Sequence, residues 1–332
     1  MAEPHERAGA AGRGELRVIS PSGAVPDDQR LQRAARHLEG LGFRVRIDSA
    51  ALARQQRFAG SDQRRLQALH RAARSRAAVV MASRGGYGLT RLLDAIDYAL
   101  LAEAIRERGQ LWVGHSDFTA LQLALLARCG AVTCSGPMAA FDFGAERVDD
   151  ITRESFLDLV DQRLEAVGFA CADAPRGLDA AGTLWGGNLS LVCSLVGTRY
   201  LPRLRGVLFL EDVAEHPYRI ERMLGQLLHA GVLQRQRALL LGGFTEFKLG
   251  AHDAGYDLQQ VVRWLRGRLR PYGVPVLDGL PFGHLRSKLS LPHGARCRVV
   301  RDGGEVYLVF AHAHRGQRRS ADALAPAASD PH

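Results

Sequence analysis

Four short segments of this 332-residue chain hold residue types that could carry out acyl transfer. The first is Gly114-His115-Ser116-Asp117, placed between an apolar strand at 111–113 and a helical segment at 119–129. A strand–turn–helix of this kind lifts a hydroxyl above a sheet and aims a helix N-terminus at whatever binds there. A serine hydroxyl is a weak nucleophile and needs a base. The turn departs from Gly-x-Ser-x-Gly, because position 118 is Phe. On these residues alone two readings stay open. Ser116 is either a nucleophile or a helix cap, and Asp117 or Thr119 could cap equally well.

The second segment is Arg84-Gly85-Gly86-Tyr87-Gly88, which follows an apolar strand at 77–81. Adjacent glycines let backbone approach a ligand and point amides at it. No Gly-Lys-Ser/Thr follows, so this is not a Walker loop. It could lend an amide to an oxyanion hole, or it could be a plain tight turn. The third is Glu211-Asp212, at the end of the apolar strand 207–210, with Glu215 close behind. Carboxylates there sit where sites form in open α/β sheets. They could equally be solvated acids at the start of a helix near Tyr218. The fourth is His284, in Gly279-Leu280-Pro281-Phe282-Gly283-His284. A histidine can serve as base near neutral pH. The chain has 12 histidines, and His293 competes for the same post. Ser116, Glu211 and His284 supply the three residue types of a triad, which is defined by geometry and not by chain order.

The elements that must position these groups follow from hydrophobic periodicity. Strands are expected at 16–20, 43–47, 77–81 and 111–113, alternating with helices at 27–41, 61–74, 90–101 and 119–129. That alternation predicts a parallel α/β sheet over 15–150. After Asp150 the pattern changes. Residues 151–182 read as a helical, then loop-like connection. Strands at 207–210, 238–242, 274–277 and 306–310, with a helix at 218–230, predict a mixed α/β domain over 183–315.

Composition narrows the classes. Hydrophobic residues make up 46% and charged residues 24%, as in ordinary globular proteins. At about 100–200 residues per domain, two domains are expected. The net charge of +9 is carried by arginine, since Lys248 and Lys288 are the only lysines. The arginines mix with Glu, Asp and Gln along amphipathic stretches, and no basic run interleaves with aromatics. They read as solvated faces and not as a nucleic-acid surface. Five cysteines without a CxxC pair or zinc spacing point to a reducing compartment and no metal. Residues 1–14 lack the apolar region of a secretory signal, and no apolar run reaches the ~18 residues of a membrane span. A cytoplasmic protein with no membrane partner is expected, with 1–14 and 316–332 as flexible tails.

Read in order, the segments resemble the LD-carboxypeptidase family, serine peptidases of muramoyltetrapeptide carboxypeptidase type. The resemblance rests on Ser20-Pro21-Ser22-Gly23, Arg57-Phe58-Ala59-Gly60, Arg84 to Gly88 and Gly114 to Asp117. It continues through Gly186-Gly187-Asn188-Leu189 to Gly197-Thr198. It ends with Leu210-Glu211-Asp212, with Tyr218, Arg219 and Arg222, and with Gly283-His284 before Pro292. It spans 16–308. It implies a Rossmann-like N-terminal domain, a mixed, barrel-like C-terminal domain, and a site between them. It places the nucleophile on Ser116, the acid on Glu211, the base on His284 and the oxyanion amides on Asp117 and Gly86. It implies a homodimer that uses no metal or cofactor. The implied substrate is a murein tetrapeptide, cut at an L,D bond to release D-alanine. A related branch of the family cleaves peptide–nucleotide antibiotics and gives self-immunity. His115 departs from the aromatic or small residue usual before the serine. A binding protein that uses the two Gly-rich turns to hold a small anion is the reading outside enzymes.

Overall fold

The computed structural model describes residues 12–310. Apart from residues 12–14, the tails expected at 1–14 and 316–332 lie outside the described residues. Residue 13 is tied down, because the Arg13 guanidinium donates to both Asp161 oxygens at 3.0 and 2.9 Å.

The first half alternates as its sequence predicts: β1 (Glu15–Ile19), α1 (Asp28–Gly40), β2 (Arg44–Ile47), α2 (Asp62–Arg74), β3 (Val79–Ala82), α3 (Tyr98–Arg106), β4 (Leu111–Gly114), α4 (Thr119–Cys129) and β5 (Thr133–Ser135). Capping sets several helix starts. Asp27 accepts from Gln29 N before α1, and Ser61 accepts from Arg64 N before α2. The helix expected at 90–101 is instead two 3₁₀ turns followed by α3. Asp97 accepts the Leu100 amide and so starts α3 at Tyr98.

The second half carries α5 (Asp150–Val160), β6 (Ala166–Ala170), β7 (Asp179–Asn188), α6 (Leu189–Ser194), β8 (Val207–Val213), α7 (Pro217–His229), β9 (Ala238–Thr245), α8 (Leu258–Leu269), β10 (Val276–Asp278), β11 (Leu291–His293), β12 (Arg296–Asp302) and β13 (Glu305–Phe310). The stretch 151–182, expected to be helical and then loop-like, also contains β6 and the start of β7. β6 alternates buried and exposed residues in the half-buried pattern of an edge strand, and it pairs with β13.

Two sheets result. One runs β11-β5-β4-β3-β1-β2 and is parallel except for β11, which the second half contributes. The other runs β10-β9-β8-β7-β12-β13-β6, parallel through β7 and antiparallel beyond it. Its ends curl toward one another, and Val167 and Phe169 of β6 share a core with Leu277 of β10. The fold is therefore α/β, with a parallel-dominated first sheet and a mixed second one. The largest core spans both halves. α4 is buried on every side from Thr119 to Leu125 and packs with α6 residues Leu189 and Val192. This seam holds the end of β4 against the end of β7. Among the described residues, no helix is long and apolar enough to cross a membrane.

Candidate active site

β4 ends at Gly114, and a 3₁₀ turn over Ser116–Phe118 leads into α4. Ser116 has φ of 61°, a left-handed conformation that a residue with a Cβ rarely adopts. Its side chain caps neither the turn nor α4. The other candidate caps are also committed elsewhere. Asp117 Oδ2 accepts the Leu89 amide at 2.9 Å, and Thr119 Oγ1 accepts the Asn188 amide at 3.1 Å. Capping therefore does not explain Ser116. Gly85 explains how the serine fits: a Cβ there would lie 2.5 Å from Ser116 Oγ, so only glycine allows this approach. Burial pushes the Asp117 carboxyl above its usual range, against the pull of the Ser22 hydroxyl, the Leu89 amide and Arg65.

Glu211 lies on β8 and is fully buried. Its Oε2 meets His284 Nδ1 at 2.8 Å, and its Oε1 accepts Asn188 Nδ2 at 3.3 Å. Neither it nor Asp212 is a solvated helix cap, since His216 caps α7. A Cβ at Gly283, where φ is 118°, would fall 2.8 Å from Glu211 Oε2, so glycine lets the histidine ride over the acid. Burial, the largest influence on His284, disfavours its charge. The Glu211 hydrogen bond and charge, with Asp212 behind, outweigh burial and raise its pKa above the ordinary value. His293, the competitor, is buried on β11 and accepts from Gly186 N at 3.3 Å. Burial brings its pKa down to about 4, so it stays neutral and structural.

The serine turn and the acid–histidine pair come together at this seam. The His115 ring stands edge-on to His284, with centroids 5.2 Å apart. His115 is buried, its Nδ1 sits 2.9 Å from Gly136 O, and burial holds its pKa well below the ordinary range. Thr119, Asn188 and Glu211 form a continuous hydrogen-bonded path from the serine turn to the acid. No direct hydrogen bond joins Ser116 to His284 among the described residues. Catalytic hydrogen bonds are often long before substrate binds. The backbone amides of Asp117 and Gly86 have no acceptor among the described residues. No group of three His, Cys, Asp or Glu there is placed to hold a metal.

Several supporting residues escape sequence reasoning. Asn188 bridges Glu211 and Asp212, and Asp212 also accepts the Ser190 amide at 2.9 Å. Arg65 is fully buried and donates to Pro21 O at 2.8 Å and Gly88 O at 2.9 Å, which fixes the Gly-rich loop. Its signal was an arginine in register with the apolar face Ala68, Leu69 and Ala72 of α2. Lys288, also fully buried, pairs with Asp142. The loop that carries His284 is further sewn to α5: Ser287 Oγ donates to Asp149 at 2.7 Å, and Ser290 N donates to Ser155 Oγ at 2.8 Å.

Residues 16–136 match the LD-carboxypeptidase N-terminal domain, and residues 181–299 match the LD-carboxypeptidase C-terminal domain. The chain belongs to the LD-carboxypeptidase family. It is thus a serine-type hydrolase of that family. A probable murein peptide carboxypeptidase of Bacillus subtilis is 33% identical over 85% of this chain and 87% of its own. The crystal structure of muramoyltetrapeptide carboxypeptidase from Oxalobacter formigenes is 42% identical, with a TM-score of 0.81, and covers 89% of this chain and 98% of its own. The wild-type microcin C7 self-immunity protein reaches a TM-score of 0.80 at 23% identity, covering 93% of this chain and 99% of its own, a likeness of fold alone.

Proposed function

We propose that this LD-carboxypeptidase releases the terminal D-alanine from an L,D-linked murein tetrapeptide through an acyl-enzyme on Ser116. The observation that carries the reading is the buried 2.8 Å contact between Glu211 and His284, on the same seam as an uncapped, left-handed Ser116. In this mechanism His284 takes the Ser116 proton as the hydroxyl attacks the carbonyl. Glu211 fixes the ring by its Nδ1 and stabilises the imidazolium. The amides of Asp117 and Gly86 hold the developing oxyanion, where one donor is worth about 2.7–4 kcal/mol. His284 then hands its proton to the leaving amine. Water attacks the ester, with His284 again as base, and frees Ser116. The homodimer that the family resemblance implies belongs to the same reading and can be tested by light scattering. Ser116→Ala should abolish D-alanine release from the tetrapeptide while the circular dichroism spectrum stays that of the wild type. A folded Ser116→Ala variant with wild-type turnover would sink the reading.

A further inference from the structure

Beside Gly86 lies a cavity of about 200 Å³ lined by Gly23, Ala24, Pro26, Arg54, Arg57, Arg84 and Tyr87. Its walls are three loops knitted together. Gly23 N donates to Gly85 O at 3.1 Å, and Ala24 N donates to Arg57 O at 2.9 Å. The Arg84 and Arg54 side chains donate to Ala24 O and Val25 O at 2.9 and 3.1 Å. Nearby arginines find carboxylates: Arg65 and Arg91 share Asp62, and Arg71 takes Asp48. None of the three cavity arginines has a carboxylate partner among the described residues. Three guanidinium groups around one small pocket repel each other unless an anion joins them. The half-buried Arg84 feels this, for burial first, then Arg57 and Arg54, lower its pKa.

We propose that Arg54, Arg57 and Arg84 form the subsite that binds the free carboxylate of the residue to be released. The inference rests on the carboxypeptidase reading of Ser116. Position favours it. Arg84 and Gly86 flank Gly85, which packs on Ser116, and the Arg84 Nη2 lies 3.5 Å from where a Cβ of residue 86 would begin. The carboxylate of a peptide's last residue lies one residue past the scissile carbonyl, about 3.8 Å on by Cα spacing. Size favours it too, since the cavity falls below the roughly 300 Å³ of drug-sized sites and suits one small residue. Guanidinium forks match carboxylate geometry. The same chemistry would accept a phosphate in the leaving group, so the test separates the two.

Two measurements decide it. In the first, kcat/KM is compared on a tetrapeptide ending in D-alanine and on its carboxamide, for the wild type, Arg57→Met and Arg84→Met. Arg57 is exposed and makes no side-chain hydrogen bond among the described residues, so its variant keeps the fold even if Arg84→Met does not. The wild type should prefer the free acid by about 10- to 100-fold, the worth of a hydrogen bond to a charged group. Arg57→Met should lose most of that preference, with its rate on the carboxamide within about threefold of wild type. Equal rates on acid and amide, or equal losses on both, would overturn the subsite. In the second, calorimetry on Ser116→Ala measures binding of N-acetyl-D-alanine, its methyl ester and inorganic phosphate. Binding of the acid alone, lost on adding Arg57→Met, supports the subsite even if no tetrapeptide is cut, an outcome that would remove the carboxypeptidase reading by itself. Binding of phosphate in preference to the acid would overturn the carboxylate assignment.

Discussion

The loop between β10 and β11 carries two buried acid–base pairs four residues apart in sequence, and they differ in kind. His284 meets Glu211 with 13% of its side chain exposed, whereas Lys288 meets Asp142 with none. A histidine can lose its proton near neutral pH at little cost. A fully buried lysine beside a buried aspartate is held by its partner, since loss of either one strands a buried charge. In the proposed mechanism the first pair cycles through protonation states. The second is a fixed pin that holds the same loop to the first half of the molecule, through Asp142 of the turn after β5. A catalytic pair has to move charge, so its partner must not move the backbone.

The contrast breaks at different places under different substitutions. The largest effect is expected from Glu211→Gln, which keeps the shape but removes the charge. We expect kcat to fall by about 10⁴-fold, as when a triad acid becomes an amide. His284 must be neutral to act as base, and its pKa is raised above 6.5, so the acid limb of kcat/KM should lie above 6.5 in the wild type. Glu211→Gln removes the hydrogen bond and charge that do most to raise that pKa and leaves only Asp212 against burial, so the limb should move to lower pH. A pH–rate profile with an unmoved limb would show that Glu211 does not tune His284. The next effect is one of stability. Lys288→Met strands a buried aspartate and should cost about 3–5 kcal/mol in denaturant unfolding. Replacing Asp142 as well, by leucine, should recover most of that loss. If the single variant unfolds like the wild type, the pin is not one. The smallest effect is at the serine. Ser116→Gly should be more stable than Ser116→Ala by about 1 kcal/mol, because glycine accepts the positive φ without strain. Equal midpoints would mean the turn relaxes without its hydroxyl.

Much of this was legible in the chain. The alternation of β1 to α4 is strong because β3 and β4 are apolar runs, β2 alternates Arg44-Val45-Arg46-Ile47, and α1 and α2 start with the caps Asp27 and Ser61. The pairing of Glu211 with His284 came from family resemblance, since each residue alone had an ordinary explanation. β6 escapes sequence reasoning because Ala166-Val167-Gly168-Phe169-Ala170 is short and contains a glycine, and its partners on β13 lie 135 to 143 residues away in sequence. The 3₁₀ turns before α3 are not legible in the sequence because Leu89 to Ala95 is apolar enough to mimic a helix, while Asp97 sets the real start. Lys288 and Arg65 were hidden for a different reason. Sequence pattern assigns charges to the surface, and only tertiary packing reveals the few that are buried and paired.

The proposed function makes Ser116 the nucleophile. A fluorophosphonate reagent followed by peptide mass spectrometry tests it most directly. A single adduct is expected on the peptide containing Ser116, absent from Ser116→Ala and strongly slowed in His284→Ala. An adduct on another serine, with Ser116 unlabelled and the enzyme inactivated, would contradict it.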